Sequence, residues 1–512
     1  MHAKIFSATT IGVDAYPVEV EVDVSGGMVN FYIVGLPDTA IKESNKRIWT
    51  SLKNSGFRLT AKKITVNLAP ADLKKEGTLF DLPIAIGILI ASGHLEVARQ
   101  FLQETLFLGE LSLDGSIRSI KGALAIAYDA QRLGKKRIIL PKSNVHEAAL
   151  IKGLEIIGVD HLVELVNYLR QETTIQPTSH INITSLQHEH ISAADFSQVK
   201  GQIQAKRALQ ICAAGRHNIL FIGPPGSGKT MLAKRLPTIM PPMTFDEVLE
   251  TTKIYSISGK LANTNLVAQR PFRDPHHTIT QAGLVGGGSY PQPGEISLAH
   301  HGILFLDELT EFKRQTLEVL RQPLENKMVC IARANQSITF PASFLLIAAL
   351  NPCPCGFFGD PTRECHCTPT QIQRYVSKIS GPLLDRIDIQ IEVPAVKYKE
   401  LRGNGEVESS AKVRDRVLRA RAIQNERYRG EKNVYANAQM PPKLIRKHCE
   451  ISPEGEKLLE TAIQRLGLSA RAHDRILKVS RTVADLEGAP FIEPKHLSEA
   501  IQYRTLDRTY WA

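Results

Sequence analysis

The run Gly223-Pro224-Pro225-Gly226-Ser227-Gly228-Lys229-Thr230 constrains the fold of this chain more than any other feature. It follows an apolar stretch, NILFIG (218–223), and opens into MLAKRL (231–236), so strand, glycine turn and helix stand in the order that GxxxxGK[ST] requires. Glycines let backbone N–H groups converge on phosphate oxygens, and the helix start adds its positive dipole end. Lys229 can neutralise the β- and γ-phosphates of a nucleotide, and the Thr230 hydroxyl can ligate Mg²⁺.

Two further strands support this reading. GILFLDE (302–308) is an apolar run ending in two carboxylates. Asp307 would hold Mg²⁺ through water, and Glu308 would polarise an attacking water. FLLIAAL (344–350) ends in Asn351, whose amide could orient that water; a turn-starting Asn before Pro352 fits the spacing as well.

At 512 residues the chain exceeds the roughly 250–300 residues of a single hydrophobic core. Residues 1–170 read as mixed α/β, with strands near 18–24, 29–35, 63–70 and 136–141 and helices near 82–93 and 121–133. The polar segment 171–195 reads as a linker, 196–394 as the nucleotide core, and 395–512 as helical and basic. With 43% hydrophobic and 22% charged residues, the composition excludes a disordered chain or a disulfide scaffold. LPIAIGILIA (82–91) is too short to span a membrane, and the N-terminus lacks a signal peptide's apolar block, so a soluble cytoplasmic protein is expected. Net charge is +11, of which residues 395–512 supply +7, from 23 Lys/Arg against 16 Asp/Glu. That bias permits an anionic partner without requiring one.

The order GPPGSGKT, ILFLDE, AALNP, GPLLDRIDI (381–389) and SARAHDRILKVSRTVADL (469–486) resembles the AAA+ ATPases of the magnesium-chelatase-like clade. RPFRDPHHTIT (270–280), GEISLAHHGILFLDEL (294–309) and NPCPCGFFGDP (351–361) resemble the YifB/ComM-type bacterial proteins. The resemblance implies an α/β multidomain chain: a P-loop core with a parallel sheet and a C-terminal helical lid. It implies ATP and Mg²⁺, a homo-oligomeric ring of the hexameric kind, and DNA, branched or single-stranded, as partner. The implied activity is a DNA motor driving branch migration during recombination in natural transformation. A chelatase-type chaperone that remodels a protein or metallo-complex is the alternative. By the same resemblance Arg386 stands at the arginine-finger position, reaching the neighbouring subunit's γ-phosphate, and Arg471 at the sensor-2 position. A salt bridge from Arg386 to Asp385 or Asp388 is the plainer reading of that residue, and Arg475 competes with Arg471.

Cys353-Pro-Cys355 and Cys365-His-Cys367 place four thiols in pairs on a short loop, the pattern of a closed structural Zn²⁺ site in a reducing compartment. A redox-sensitive disulfide pair, or no ligand at all, is the alternative. Cys212, Cys330 and Cys449 read as small buried residues. Segment 255–300 offers Arg270, Arg273, Phe272 and Tyr290 for tracking a nucleic-acid strand. His276 and His277 there read as a hydrogen-bonded turn rather than metal ligands. A hairpin at 327–337 offers Lys327 and Arg333, and Lys412, Arg416 and Arg419 share one face of a basic helix.

GELSLDGSIRSIKGALAIAYDAQRLGKKRIILP (109–141) resembles the proteolytic domain of Lon proteases, an S5-type α+β fold. Where Lon carries Gly-Pro-Ser-Ala-Gly this chain has Gly77-Thr78-Leu79-Phe80-Asp81, and Leu124 stands in place of the activating lysine. A hydroxyl and an amine serve catalysis only within hydrogen-bond reach. Despite the nearby Thr78 and Lys121, residues 1–170 are expected to keep the fold without the peptidase dyad.

Overall fold

A computed structural model of the chain describes residues 2–28, 30–58, 63–181, 194–261, 266–288, 291–333, 336–360, 363–396, 408–431 and 434–506. It divides into two compact units, Met1–His188 with Phe245–Ala268, and Glu189–Thr244 with Gln269–Ala512. Residues 245–268, read from sequence as part of the nucleotide core, thus belong to the first unit. The cause is burial: helix Phe245–Ser258 hides Val248, Ile254 and Ile257, and Ser256 Oγ donates to Glu147 at 2.7 Å while accepting from Gly122 N–H at 3.0 Å.

The first unit is built on β1 (His2–Ile11), β2 (Asp14–Ser25), β3 (Asn30–Val34) and β4 (Lys63–Ala69), in the order β1-β2-β4-β3. The β1–β2 and β2–β4 pairs are antiparallel and β3–β4 is parallel, which leaves β3 at one edge. Helix α1 (Thr39–Asn54) starts on Asp38, whose carboxylate accepts from Ile41 N–H at 2.8 Å. Helix α2 (Asp81–Ala91) is apolar on every side and correspondingly buried. It lies so close to β2 that a Cβ on Gly87 would stand 2.5 Å from Val22 Cγ2, so glycine sets the approach. A three-stranded parallel sheet, β5 (Thr105–Phe107), β6 (Arg137–Pro141) and β7 (Glu155–Val159), completes the unit with helix α3 (Ala123–Arg132). Thr78 gives its hydroxyl to Glu110, Lys121 lies against Gly259, and no hydrogen bond among the described residues joins Thr78 to Lys121.

The second unit holds an all-parallel five-stranded sheet. Its strands are β8 (Ile219–Ile222), β9 (Phe272–Arg273), β10 (Ile303–Leu306), β11 (Leu345–Leu350) and β12 (Ile389–Glu392), in the order β9-β10-β11-β8-β12. Strands β8, β10 and β11 are buried throughout, as continuous Ile/Leu/Phe/Ala runs covered on both faces must be. Helices α4 (Ile203–Gly215), α5 (Lys229–Ala233), α6 (Ser410–Arg427) and α7 (Ala470–Glu487) belong to the same unit. Val413, Val417, Ile476 and Val483 of the late helices share one buried cluster with Phe221, Phe305 and Ile347 of the sheet. No helix among the described residues is long and apolar enough to cross a membrane.

Candidate functional site

Because β8, β10 and β11 run parallel with β11 between the other two, the residues that follow them come out side by side at the carboxyl edge. Gly223 follows β8 and donates its N–H to Leu350 O at 3.2 Å, while Asp307 and Asn351 follow β10 and β11. The loop between β8 and α5 turns through Gly226 (φ 78°) and Gly228 (φ 93°), left-handed conformations that favour glycine. At Gly223 the constraint is space: a Cβ would meet Val393 O at 2.2 Å.

The Lys229 ammonium is turned back into this loop, donating to Gly223 O at 2.7 Å, Pro224 O at 2.9 Å and Asn351 Oδ1 at 3.2 Å. Burial pushes its pKa down to about 8, against the pull of Asp307 and Glu308. Thr230 Oγ1 donates to Asp307 Oδ2 at 2.6 Å, and Asp307 Oδ1 accepts from Glu308 N–H at 2.9 Å. Ser227 Oγ is buried without a hydrogen-bond partner among the described residues. Gln202, itself at φ 53°, braces the loop by donating to Ser227 O at 3.3 Å and Pro394 O at 2.6 Å. Lys229, Thr230, Asp307, Glu308 and Asn351 are therefore brought together, around a cationic cradle with an unsatisfied hydroxyl.

Glu308 sits at φ 51° and its carboxylate is half exposed, 3.4 Å from His277 Nδ1. The His277 ring stacks at 4.1 Å on that of His276, which makes the expected turn by bonding Thr278 Oγ1 at 2.9 Å. The sequence reading placed His277 in the turn and missed its carboxylate partner. No local spacing could have revealed it, because the two residues are joined only across β9 and β10.

The two arginines stand apart from this cluster. Arg386 is buried, with its guanidinium on Glu325 and on Pro382 O. The sequence reading offered Asp385 or Asp388 as its acid, and neither takes it. Asp388 belongs instead to Arg475, with His217 Nδ1 at 3.4 Å and Asn218 N–H at 3.1 Å. Burial alone would raise the Asp388 carboxyl, but Arg475 and His217 overcome it and hold the group far below the usual carboxylate range. Arg475 is thus occupied. Arg471 is exposed in the first turn of α7 and makes no ion pair among the described residues.

Other expected contacts are overturned by packing. Phe272 is not a free stacking ring: it lies in β9 with its centroid 5.9 Å from that of Phe305. Arg270 donates to Pro241 O at 2.7 Å and His301 O at 2.6 Å, and Arg273 forks onto Glu295 at 2.5 and 2.9 Å, so both pin the segment instead of offering it. Lys327 sits half-buried at the root of the hairpin Met328–Arg333/Gln336–Pro341, where burial pushes its pKa down to about 8. Arg416 is paired to Glu408 at 2.7 Å, leaving Lys412 and Arg419 exposed. Cys212 and Cys449 are buried as expected, but Cys330 is exposed on the hairpin. Tyr290 and the Arg333 side chain lie outside the described residues.

The four paired cysteines converge. Their sulfurs all lie within 4.8 Å of one another, with Cys353–Cys355 at 3.3 Å and Cys365 at 3.6 Å from each. Tetrahedral zinc at about 2.3 Å from each sulfur sets S–S separations near 3.8 Å, so the donor set fits. Phe358 N–H donates to Cys353 Sγ at 3.3 Å, an outer contact of the kind that orients thiolate ligands. The same loop touches the phosphate-type loop: a Cβ on Gly356 (φ 86°) would stand 2.5 Å from Pro225 Cδ.

Comparison with known proteins agrees with this architecture. Family models for the magnesium chelatase subunit ChlI match residues 195–401 and 20–144, and a model of the ChlI C-terminal region matches 407–504. Competence protein ComM of Haemophilus influenzae is 45% identical over 509 residues, 99% of this chain and 98% of its own length. YifB of Escherichia coli is 43% identical over 98% of this chain and 97% of its own. Lon protease 2 of Bacillus subtilis is 27% identical over 36% of each chain. Similarity at this level along the whole length means that the chain belongs to the ComM/YifB family of magnesium-chelatase-like AAA+ proteins.

Proposed function

We propose that the chain is an ATP-hydrolysing ring motor that acts on branched or single-stranded DNA in the cytoplasm, with branch migration as its work. The convergence of Lys229, Thr230, Asp307, Glu308 and Asn351 at one sheet edge carries the ATPase reading. The cradle fits a nucleotide: Lys229 is a cation held by carbonyls it can exchange for phosphate oxygens, and the backbone of Gly223, Pro224, Pro225, Gly226, Ser227 and Gly228 surrounds it. The DNA reading is carried over from the relative named a competence protein.

In this mechanism Thr230 and Asp307 hold Mg²⁺, which when bound offsets the charge on the phosphate oxygens. Glu308 accepts the proton of the attacking water, and Asn351 orients that water. Arg386 leaves Glu325 to reach the phosphate held by the neighbouring subunit, and Arg471 approaches from the first turn of α7. Because the finger comes from the next protomer, hydrolysis depends on assembly, the requirement of a ring, with a hexamer as the expected form. Cys353, Cys355, Cys365 and Cys367 would hold a structural Zn²⁺, which with four thiolate ligands would tie the loop together rather than take part in catalysis.

The test is ATP turnover with and without a four-way DNA junction, together with strand separation, using Glu308→Gln as control. The expected result is junction-stimulated turnover that the control abolishes. Turnover that ignores DNA and rises with a protein client would instead establish the chelatase-type chaperone.

A further inference from the structure

The first unit carries a cleft that the nucleotide site does not use. It has a volume of 490 Å³ and opens beside the edge strand β3, where Asn30, Phe31, Asn45, Lys46, Trp49 and Thr50 form its walls. Phe31 pairs in register with buried Ile64 of β4, which turns its ring to the α1 side of the sheet, toward Trp49. Both rings are half-buried, and neither is stacked on another aromatic of the described residues. On the opposite face of the same strand Tyr32 is exposed, with Lys63 Nζ 5.8 Å from its ring centre.

Charge decides what such a cleft can take. At 100° per residue, Lys42, Lys46 and Lys53 stand at positions i−7, i−3 and i+4 from Trp49 and share its flank of α1. All three are exposed and form no ion pair among the described residues. Arg47, which could have joined them, is drawn away by the buried Asp81 at 2.9 Å. No carboxylate is among the wall residues, and the exposed Glu43 lies about 120° around the helix from Trp49. An apolar peptide docking on the β3 edge would gain nothing from this lysine row. A strand that presents a flat base every few ångströms and a phosphate beside it uses both features.

We propose that this cleft is a base-binding slot for single-stranded DNA. One base enters between Trp49 and Phe31, Asn45 and Thr50 meet its polar edge, and Lys42, Lys46 and Lys53 follow the phosphates. The slot rests on the reading of the protein as a DNA motor but requires no ATP. It would hold the strand while the second unit turns over.

The test uses the full chain without nucleotide and a labelled oligothymidylate, followed by anisotropy and by tryptophan fluorescence in a Trp511→Phe background, where Trp49 is the remaining tryptophan. The oligonucleotide should quench Trp49. Trp49→Ala should weaken binding about tenfold or more, and Trp49→Phe, which keeps a ring, should retain most of it. Asn45→Asp, which leaves the packing intact and adds a negative charge, should weaken binding as well. Replacing Lys42, Lys46 and Lys53 by Gln should lower the slope of log affinity against log salt by about 2. DNA-free ATP turnover should stay unchanged in every variant. If wild type binds the oligonucleotide while these variants match it, the slot is refuted and the motor reading stands. If wild type does not bind the oligonucleotide, the slot is refuted, and the motor reading stands or falls on the junction assay alone. Quenching by an unstructured apolar peptide but not by the oligonucleotide would overturn the slot in favour of β-edge docking.

Discussion

The imidazole of His277 lies 3.4 Å from the carboxylate of Glu308, the residue proposed to activate water. A carboxylate drawn toward a ring nitrogen is turned in one direction, and we expect His277 to restrain Glu308 in this way. His277→Ala should raise DNA-independent ATP turnover severalfold and shrink the stimulation by DNA. Glu308→Gln should lower turnover by about 10²–10⁴ while leaving nucleotide binding intact. Steady-state ATPase assays alongside nucleotide titrations read both outcomes, and unchanged basal turnover in His277→Ala would refute the restraint.

The Arg386–Glu325 pair makes a prediction about assembly. Arg386→Ala should reduce turnover about 10³-fold or more, the effect of removing a finger in other phosphoryl-transfer enzymes. Lys229→Ala should be inactive for a different reason, the loss of phosphate binding. Mixing the two inactive proteins creates interfaces with an intact cradle from one subunit and an intact finger from its neighbour. Partial recovery of turnover on mixing is expected, and no recovery at any ratio would place Arg386 outside the neighbour's site.

The phosphate loop, the Asp307-Glu308 pair and Asn351 were legible because each follows an apolar strand, and parallel pairing of such strands gathers their carboxyl ends. The cysteine pairs were legible because short spacing survives folding. What stayed hidden depends on long-range partners. Nothing local shows that Arg386 chooses Glu325 over the adjacent Asp385, that Arg475 holds Asp388, or that Phe272 packs against the core beside Phe305. Helix Phe245–Ser258 packs into the first unit through buried groups more than 100 residues away, Gly122 and Glu147. Sequence order alone assigned it to the second.

The Lys229 ammonium, pushed down to about 8 by burial, should give nucleotide binding a pH dependence. Below pH 8 the free protein already carries the charge that phosphate requires. Above it the lysine is neutral, and binding must take up a proton. Nucleotide Kd should therefore be nearly flat below about pH 7.5 and rise by up to about tenfold per unit above pH 8. Stability of the free protein runs the other way: between pH 8 and the ordinary lysine value of 10.5 the unfolded chain holds more protons, so the penalty this buried group imposes on folding falls as pH rises. A fluorescent nucleotide analogue titrated at each pH provides the measurement, with Lys229→Arg, which stays charged across this range, expected to lack the slope. A Kd that stays flat to about pH 9.5 would exclude the shift.

Gly356 links the cysteine loop to the phosphate loop and allows the two to be separated experimentally. It stands at φ 86°, where a side chain costs about 1–2 kcal/mol, and a Cβ there would press on Pro225 Cδ at 2.5 Å. Gly356→Ala should thus lower stability by about 1–2 kcal/mol and, by displacing Pro225, weaken nucleotide binding, with the four cysteines still able to take up zinc. Cys353→Ser and Cys365→Ser should lose one equivalent of zinc by elemental analysis and weaken nucleotide binding through the same contact. If removing zinc leaves nucleotide affinity at the wild-type value while Gly356→Ala reduces it, the contact is steric only and the metal does not support the phosphate loop. If neither change affects the affinity, Pro225 accommodates the neighbouring loop without cost, and the two elements act independently.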